Sequence, residues 1–157
     1  MNDSSIYREQ LVQLLGGRNA HYTFTDAVKS FPMEYINAKP PNVPYTPWHL
    51  IEHLRLAQWD ILEFVRDPDH VSPKWPEGYW PHPDAEADAG DWQGTVDSFD
   101  ADLRAMEAIA QDQEIDLEAE IPHAPGYTYF REILLVADHN AYHIGEFCIL
   151  RQIMGTW

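Results

Sequence analysis

Pro47-Trp48-His49-Leu50-Ile51-Glu52-His53 and, far downstream, Asp138-His139-Asn140-Ala141-Tyr142-His143 are the two stretches on which a reading of this chain turns. Each holds two histidines four residues apart inside an apolar-periodic segment, the pattern of a helix. Residues i and i+4 share one helix face, a turn apart. Two imidazoles placed this way can grip one metal ion, and a third from a neighbouring helix can complete a three-ligand site. Three protein ligands with an open position is the arrangement of a catalytic metal rather than a structural one. Spacing alone does not decide the matter. Eight histidines generate such pairs by chance as well, and half-buried imidazoles satisfied by polar neighbours have the same spacing.

Outward from these stretches, four main helices emerge. Thr46 is a good N-cap and Pro47 suits a first helical position, so the second helix begins there and runs to about Arg66, where Pro68 ends it. The fourth starts near Thr128 and runs to about Met154, with Gly155 as its C-cap. The first spans about 4–15, with Ile6, Leu11, Leu14 and Leu15 as its apolar stripe and Gly16-Gly17 as its stop. A short helix follows around 23–30, then a proline-rich loop from Pro32 to Tyr45. The third helix covers about 91–112, with Asp97, Asp100, Asp102 and Glu107 on its outer face. The fold class expected is all-α, a four-helix bundle in a single domain over 1–157.

The connection 68–90 bears on topology. Extended at about 3.3 Å per residue, it outreaches the ~30 Å of a 20-residue helix. It can return along the bundle and leave the second and third helices parallel, which gives an up-down-down-up order. The alternative is a simple up-and-down bundle with a large surface loop.

Composition excludes several function classes. With 26 acidic against 10 basic residues the net charge is −16, which repels phosphate backbones and anionic lipid, so neither nucleic acid nor membrane is an expected partner. No 18-residue apolar run is present and the N-terminus is polar, so neither a membrane span nor a signal peptide is expected. A single cysteine excludes an intramolecular disulfide and fits the cytoplasm. Cys148 lies five positions past His143, about 140° round the helix at ~100° per residue, and reads as core.

Helical wheels sharpen the site. Glu132, Leu135, His139, Tyr142, His143, Glu146 and Leu150 fall on one face of the fourth helix, and His49, His53, Leu56, Ala57 and Asp60 fall together on the second. If these faces point inward, their ionisable groups are costly unless paired or metal-bound; the other reading is a solvated groove. A zincin helix needs His-Glu-x-x-His, and Asn140 occupies the slot of its base. A di-iron carboxylate bundle needs Glu-x-x-His repeats, which His53, His139 and His143 do not supply. The loop Trp75-Pro76-Glu77-Gly78-Tyr79-Trp80-Pro81 is aromatic and stiff; it plugs the bundle's side or forms a pocket wall or dimer contact. His82 beside it offers a further imidazole.

The blocks PYTPWHLIEHLRLAQWDILEF and YTYFREILLVADHNAYHIGEFCILRQIMGTW, with WPEGYWP between them, resemble the DinB-like (YfiT-like) metalloenzyme superfamily over nearly the whole chain. The resemblance implies an up-down-down-up four-helix bundle. It also implies one divalent metal held by a histidine closing Trp-x-x-x-x-His on the second helix and by His-x-x-x-His on the fourth. The matching positions are His53, His139 and His143. A set of three neutral imidazoles suits Zn²⁺ or Ni²⁺. Asn140 and Glu146 depart from residues common in the family, and Glu146 is the residue nearest a base role. His49 and Tyr142 are expected beside the ligands, His49 as an orienting or capping residue. Relatives of this kind include thiol S-transferases and mycothiol-dependent isomerases. The expectation is therefore a metal-dependent enzyme acting on a small-molecule substrate, by thiol S-transfer with a low-molecular-weight thiol or by hydrolysis. The alternative is a non-catalytic metal- or small-ligand-binding bundle of stress response. A homodimer is expected from the family's habit and from the apolar surplus of Trp75, Tyr79, Trp80 and Trp157.

Overall fold

Thr46 does start a helix, and His49 helps it. The Thr46 hydroxyl accepts from His49 N–H at 3.1 Å while His49 Nδ1 faces the Thr46 N–H, a reciprocal cap in which histidine takes the place usual for Glu or Gln. The computed structural model describes residues 4–157, in which this helix is the third of five. In order they are α1 (Ser4–Leu15), α2 (Phe24–Val28), α3 (Pro47–Arg66), α4 (Ala89–Gln111) and α5 (Tyr129–Met154), with short 3₁₀ turns at Met33–Tyr35 and Glu77–Tyr79. α4 begins two residues before the expected start because Asp88 caps it, accepting from Gly90 and Asp91 N–H at 2.7 and 2.9 Å. α5 ends as expected at Gly155, which is left-handed with φ 65°. Gly155 N–H bonds Gln152 C=O and Thr156 N–H bonds Arg151 C=O, the paired bonds of a Schellman stop.

The chain is mainly helical, but it is not purely so. A hairpin of β1 (Glu120–Ile121) and β2 (Ala124–Thr128) precedes α5 and was not anticipated. Two paired residues in β1 are too few to show an alternating pattern, and the Pro122/Pro125/Gly126 punctuation reads as loop. Tertiary contacts hold it: Ile121 and Ala124 are buried, and His123 Nε2 bonds Phe64 C=O at 2.8 Å near the end of α3.

Two relations between helices position the site. Along α3 and α5 the contacts run in opposite senses, from Tyr45 with Glu146 just before α3, to His53 with His139 and His143, to Phe64 with Tyr127 beyond the start of α5. These helices are antiparallel. Along α3 and α4 they run in the same sense, Trp48 with Thr95 and Gln58 with Phe99, so these two are parallel. The connection between them travels back along α3, with His70 at Asp60, Tyr79 at His53 and Ala85 at His49.

The core has two apolar parts. One gathers Phe24, Phe31, Ile36, Leu50, Leu54, Trp92, Phe99, Ile144 and Phe147. The other gathers Leu11, Leu15, Leu62, Val65, Met106, Ile121, Ile133 and Val136. Between them along α3 and α5 lie the buried amides Gln58 and Asn140. Two faces differ from their wheels. α1 buries Leu11 and Leu15 together with Arg8, whose guanidinium donates to Ala110 and Ile115 carbonyls, and leaves Ile6 and Leu14 exposed. On α5 the core face is Ile133, Val136, Ala137, Asn140, Ile144 and Phe147. The histidine face lies beside it, with Glu132 and Leu150 buried but Leu135 and Tyr142 exposed. Adjacent helical positions are only ~100° apart, so a small error in the buried direction moves flanking residues from core to groove.

Candidate metal centre

α3 delivers His53 and α5 delivers His139 and His143 to one point. His53 Nε2 stands 3.2 Å from the Nε2 of His143 and 3.2 Å from that of His139, and all three lie within 4.8 Å of one another. At a Zn–N bond of about 2.0–2.1 Å, a tetrahedral angle separates two ligand nitrogens by roughly 3.3–3.4 Å. The spacing thus fits a small divalent ion. His53 is buried, while His139 and His143 are half-buried.

The outward nitrogens decide what the inward ones can do. His53 Nδ1 lies 2.8 Å from the Tyr79 carbonyl, which only accepts, so this nitrogen carries the proton. His143 Nδ1 lies 2.6 Å from Glu146 Oε2. The histidine's hydrogen bond holds the Glu146 carboxyl below its ordinary pKa, so it is ionised and likewise fixes the proton on Nδ1. In their neutral forms both rings therefore aim bare lone pairs at each other across 3.2 Å. Burial pushes the pKa of His139 down to about 4, and burial lowers that of His53 too. Neutral, convergent imidazoles of this kind could hold a metal ion.

The surroundings hold this geometry. Trp80 stacks on the His53 ring, 3.9 Å between centroids and 3° from parallel. Tyr45 donates its hydroxyl to Glu146 Oε1, so both oxygens of that carboxylate are engaged. Burial and this anionic partner push the Tyr45 pKa up, keeping it a donor. The aromatic loop is thus a wall of the site, through Tyr79 and Trp80, while Trp75 points to solvent.

The other candidates fall elsewhere. His49 is buried one turn before His53; its Nε2 donates to Ala85 C=O at 2.8 Å, and the ring serves the helix cap. Tyr142 is 71% exposed, with its ring edge against His143. His82 is exposed and accepts from Asp84 N–H in its own turn. Cys148 is half-buried, its thiol pushed up by burial, so it is no ready thiolate. Asn140 faces the interior, donating to Gln58 Oε1 at 2.8 Å. Asp60 is claimed by His70 and Tyr79. Sequence reasoning missed Tyr45 and Gln58. Tyr45 precedes the cap in a loop without periodicity, and nothing local links it to Glu146, far along the chain.

A search of curated proteins returned no match, and a search of solved structures returned none. The sequence profile of the DinB superfamily matches residues 18–147. That span contains all three converging histidines, the whole of α3, most of α5 and the loop that covers them, and the chain belongs to the DinB superfamily.

Proposed function

We propose that this chain is a divalent-metal-dependent enzyme that transfers a low-molecular-weight thiol to a small electrophilic substrate. The carrying observation is the pair of fixed lone pairs of His53 and His143 that meet, with His139, within bonding range of one ion. When bound there, Zn²⁺ or Ni²⁺ supplies Lewis-acid chemistry to a thiol or to water. Everything else in the reading concerns the chain's own groups. His53, His139 and His143 hold the ion. Glu146 keeps His143 in the tautomer that presents Nε2, and Tyr45 keeps Glu146 in place. Trp80 fixes the plane of His53 and keeps water off that ring.

Thiol transfer is favoured over hydrolysis because Glu146, the carboxylate nearest a base role, has both oxygens occupied. A metal held by these histidines would favour the thiolate form of a thiol, its proton passing to solvent, so that no protein base would be required. The reading also has the protein working as a cytoplasmic homodimer. Its support is the single cysteine and the exposed Ile149, Ile153 and Trp157 at the end of α5. No helix of the described residues is long and apolar enough to cross a membrane.

The test is a screen of tag-free protein loaded with Zn²⁺ or Ni²⁺ against an aromatic electrophile and several cellular thiols. The expected result is about one bound metal per chain and adduct formation that needs both metal and thiol and disappears in His143→Ala. Turnover of ester or amide substrates without any thiol would replace transfer by hydrolysis. Failure to bind Zn²⁺, Ni²⁺ or Mn²⁺ would remove the metal centre. A monomeric mass by light scattering would remove the dimer.

A further inference from the structure

Two of the three converging imidazoles have an acceptor on the outward nitrogen, and the third does not. His139 Nδ1 is buried without a hydrogen-bond partner. Once His139 Nε2 turns to a metal, its proton must sit on Nδ1, and a buried N–H without an acceptor is costly. The neighbouring residue has the complementary fault: Asn140 Oδ1 is buried and has no donor.

The orientation of Asn140 follows from its neighbours. Phe99 C=O in α4 can only accept, so Gln58 must present Nε2 to it, at 2.7 Å. Gln58 Oε1 is then the end left for Asn140, which must present Nδ2, at 2.8 Å. Oδ1 is thus the atom left over, and no amide flip can exchange it. The two unpaired atoms, a ring nitrogen and an amide oxygen, thus sit buried on adjacent residues of α5, and they do not meet hydrogen-bond geometry with each other.

We propose that Asn140 is the positioning residue of His139, accepting its Nδ1–H when the metal is bound. The chain of bonds then runs from the metal ligand through Asn140 and Gln58 to the α4 backbone at Phe99. This inference rests on the metal reading above and extends it. Each ligand gains its own outer acceptor: a backbone carbonyl on His53, a carboxylate on His143 and an amide on His139. The buried Asn140–Gln58 pair between the two apolar parts of the core thereby becomes part of the centre.

The experiment compares wild type, Gln58→Met/Asn140→Leu and Asn140→Asp. Zn²⁺ affinity is read by competition with a chelating dye, metal-free melting by circular dichroism, and the His139 Nδ1–H signal of the Zn²⁺ form by imidazole ¹⁵N NMR. The double variant replaces the relay by apolar side chains. It is expected to melt cooperatively, to bind Zn²⁺ about 10–100-fold more weakly and to lose the slowly exchanging Nδ1–H signal. Asn140→Asp keeps an acceptor for His139 but cannot donate to Gln58. It is expected to melt lower than wild type without metal, yet to bind Zn²⁺ at least as tightly. A merely structural role would not separate stability from affinity in this way. Wild-type affinity in the folded double variant, or a retained Nδ1–H signal, overturns the inference and leaves the metal centre standing. If the double variant does not fold, weakened binding in Asn140→Asp overturns it. A wild type that takes up no Zn²⁺ removes the metal reading and this inference together.

Discussion

His53 on α3 and His70 in the connection that doubles back over that helix each anchor a polar cluster, and Tyr79 touches both. At the first, Asp60 accepts His70 Nε2–H at 2.7 Å and the Tyr79 hydroxyl at 2.6 Å. Burial and this bond push the Tyr79 pKa up to about 12, so it remains a donor. Every donor there meets an acceptor, and the cluster works as a staple that ties the loop to α3. At the second, the Tyr79 carbonyl fixes the proton of His53 on its far side, and Nε2 faces two more imidazole nitrogens. Acceptors meet acceptors. The difference teaches how to tell a structural histidine from a candidate ligand: not by a side chain shielded from solvent, which both have, but by whether the polar atoms around it are complementary without an ion.

The sharpest way to break that contrast is to remove one histidine from each cluster. A four-ligand zinc site is worth about 10–16 kcal/mol, so each ligand carries roughly 3–4 kcal/mol. His143→Ala should then weaken Zn²⁺ by about a hundredfold to a thousandfold. His70→Ala should leave Zn²⁺ affinity within a factor of a few and lower folding stability by about 1–3 kcal/mol, since Asp60 loses a buried partner. Dye competition and urea melts read both. Comparable loss of metal affinity in the two variants would erase the distinction.

Acid should act next. His139 has a folded pKa of about 4, against about 6.5 when unfolded, so the unfolded chain binds the proton first. Stability of the metal-free protein is therefore intact above pH 6.5 and falls as pH drops toward 4. His139 alone accounts for up to about 3 kcal/mol of that loss. Because its ring stays neutral below the ordinary range, the rise in Tm on adding Zn²⁺ should persist at pH 6 and be gone at pH 4. An equal rise at pH 7.5 and pH 4 would point to carboxylate ligands.

Smaller effects sharpen the picture around the ligands. Glu146→Gln keeps the shape beside His143 and removes the charge, and should weaken Zn²⁺ by about 10-fold or somewhat more. Tyr45→Phe acts through Glu146 and should cost less than that. If chelator titration ranks Tyr45→Phe above Glu146→Gln, the order of action is wrong. His49→Ala should cost about 1 kcal/mol through the lost cap and leave metal affinity unchanged. An affinity loss there matching His143→Ala would make His49 a ligand.

The sequence by itself determined the helices, because caps, prolines and apolar periods are local. Thr46-Pro47 and Gly155 mark their ends wherever the rest of the chain goes. The four-residue spacings put His139 with His143, and the resemblance selected His53 over His49. Only the tertiary structure decided which faces meet. The hairpin at Glu120–Thr128 exists through its packing on α3, not through its own pattern. Tyr45 and Glu146 meet because α3 and α5 run antiparallel, and Tyr79 reaches His53 because the long connection doubles back. The outward partner of His53 comes from a distant segment, as does Tyr45, which holds the partner of His143, and hydrogen-bond complementarity is a property of assembled neighbours. That is why spacing could name imidazoles able to hold an ion, while only the fold could show which of them lack partners without one.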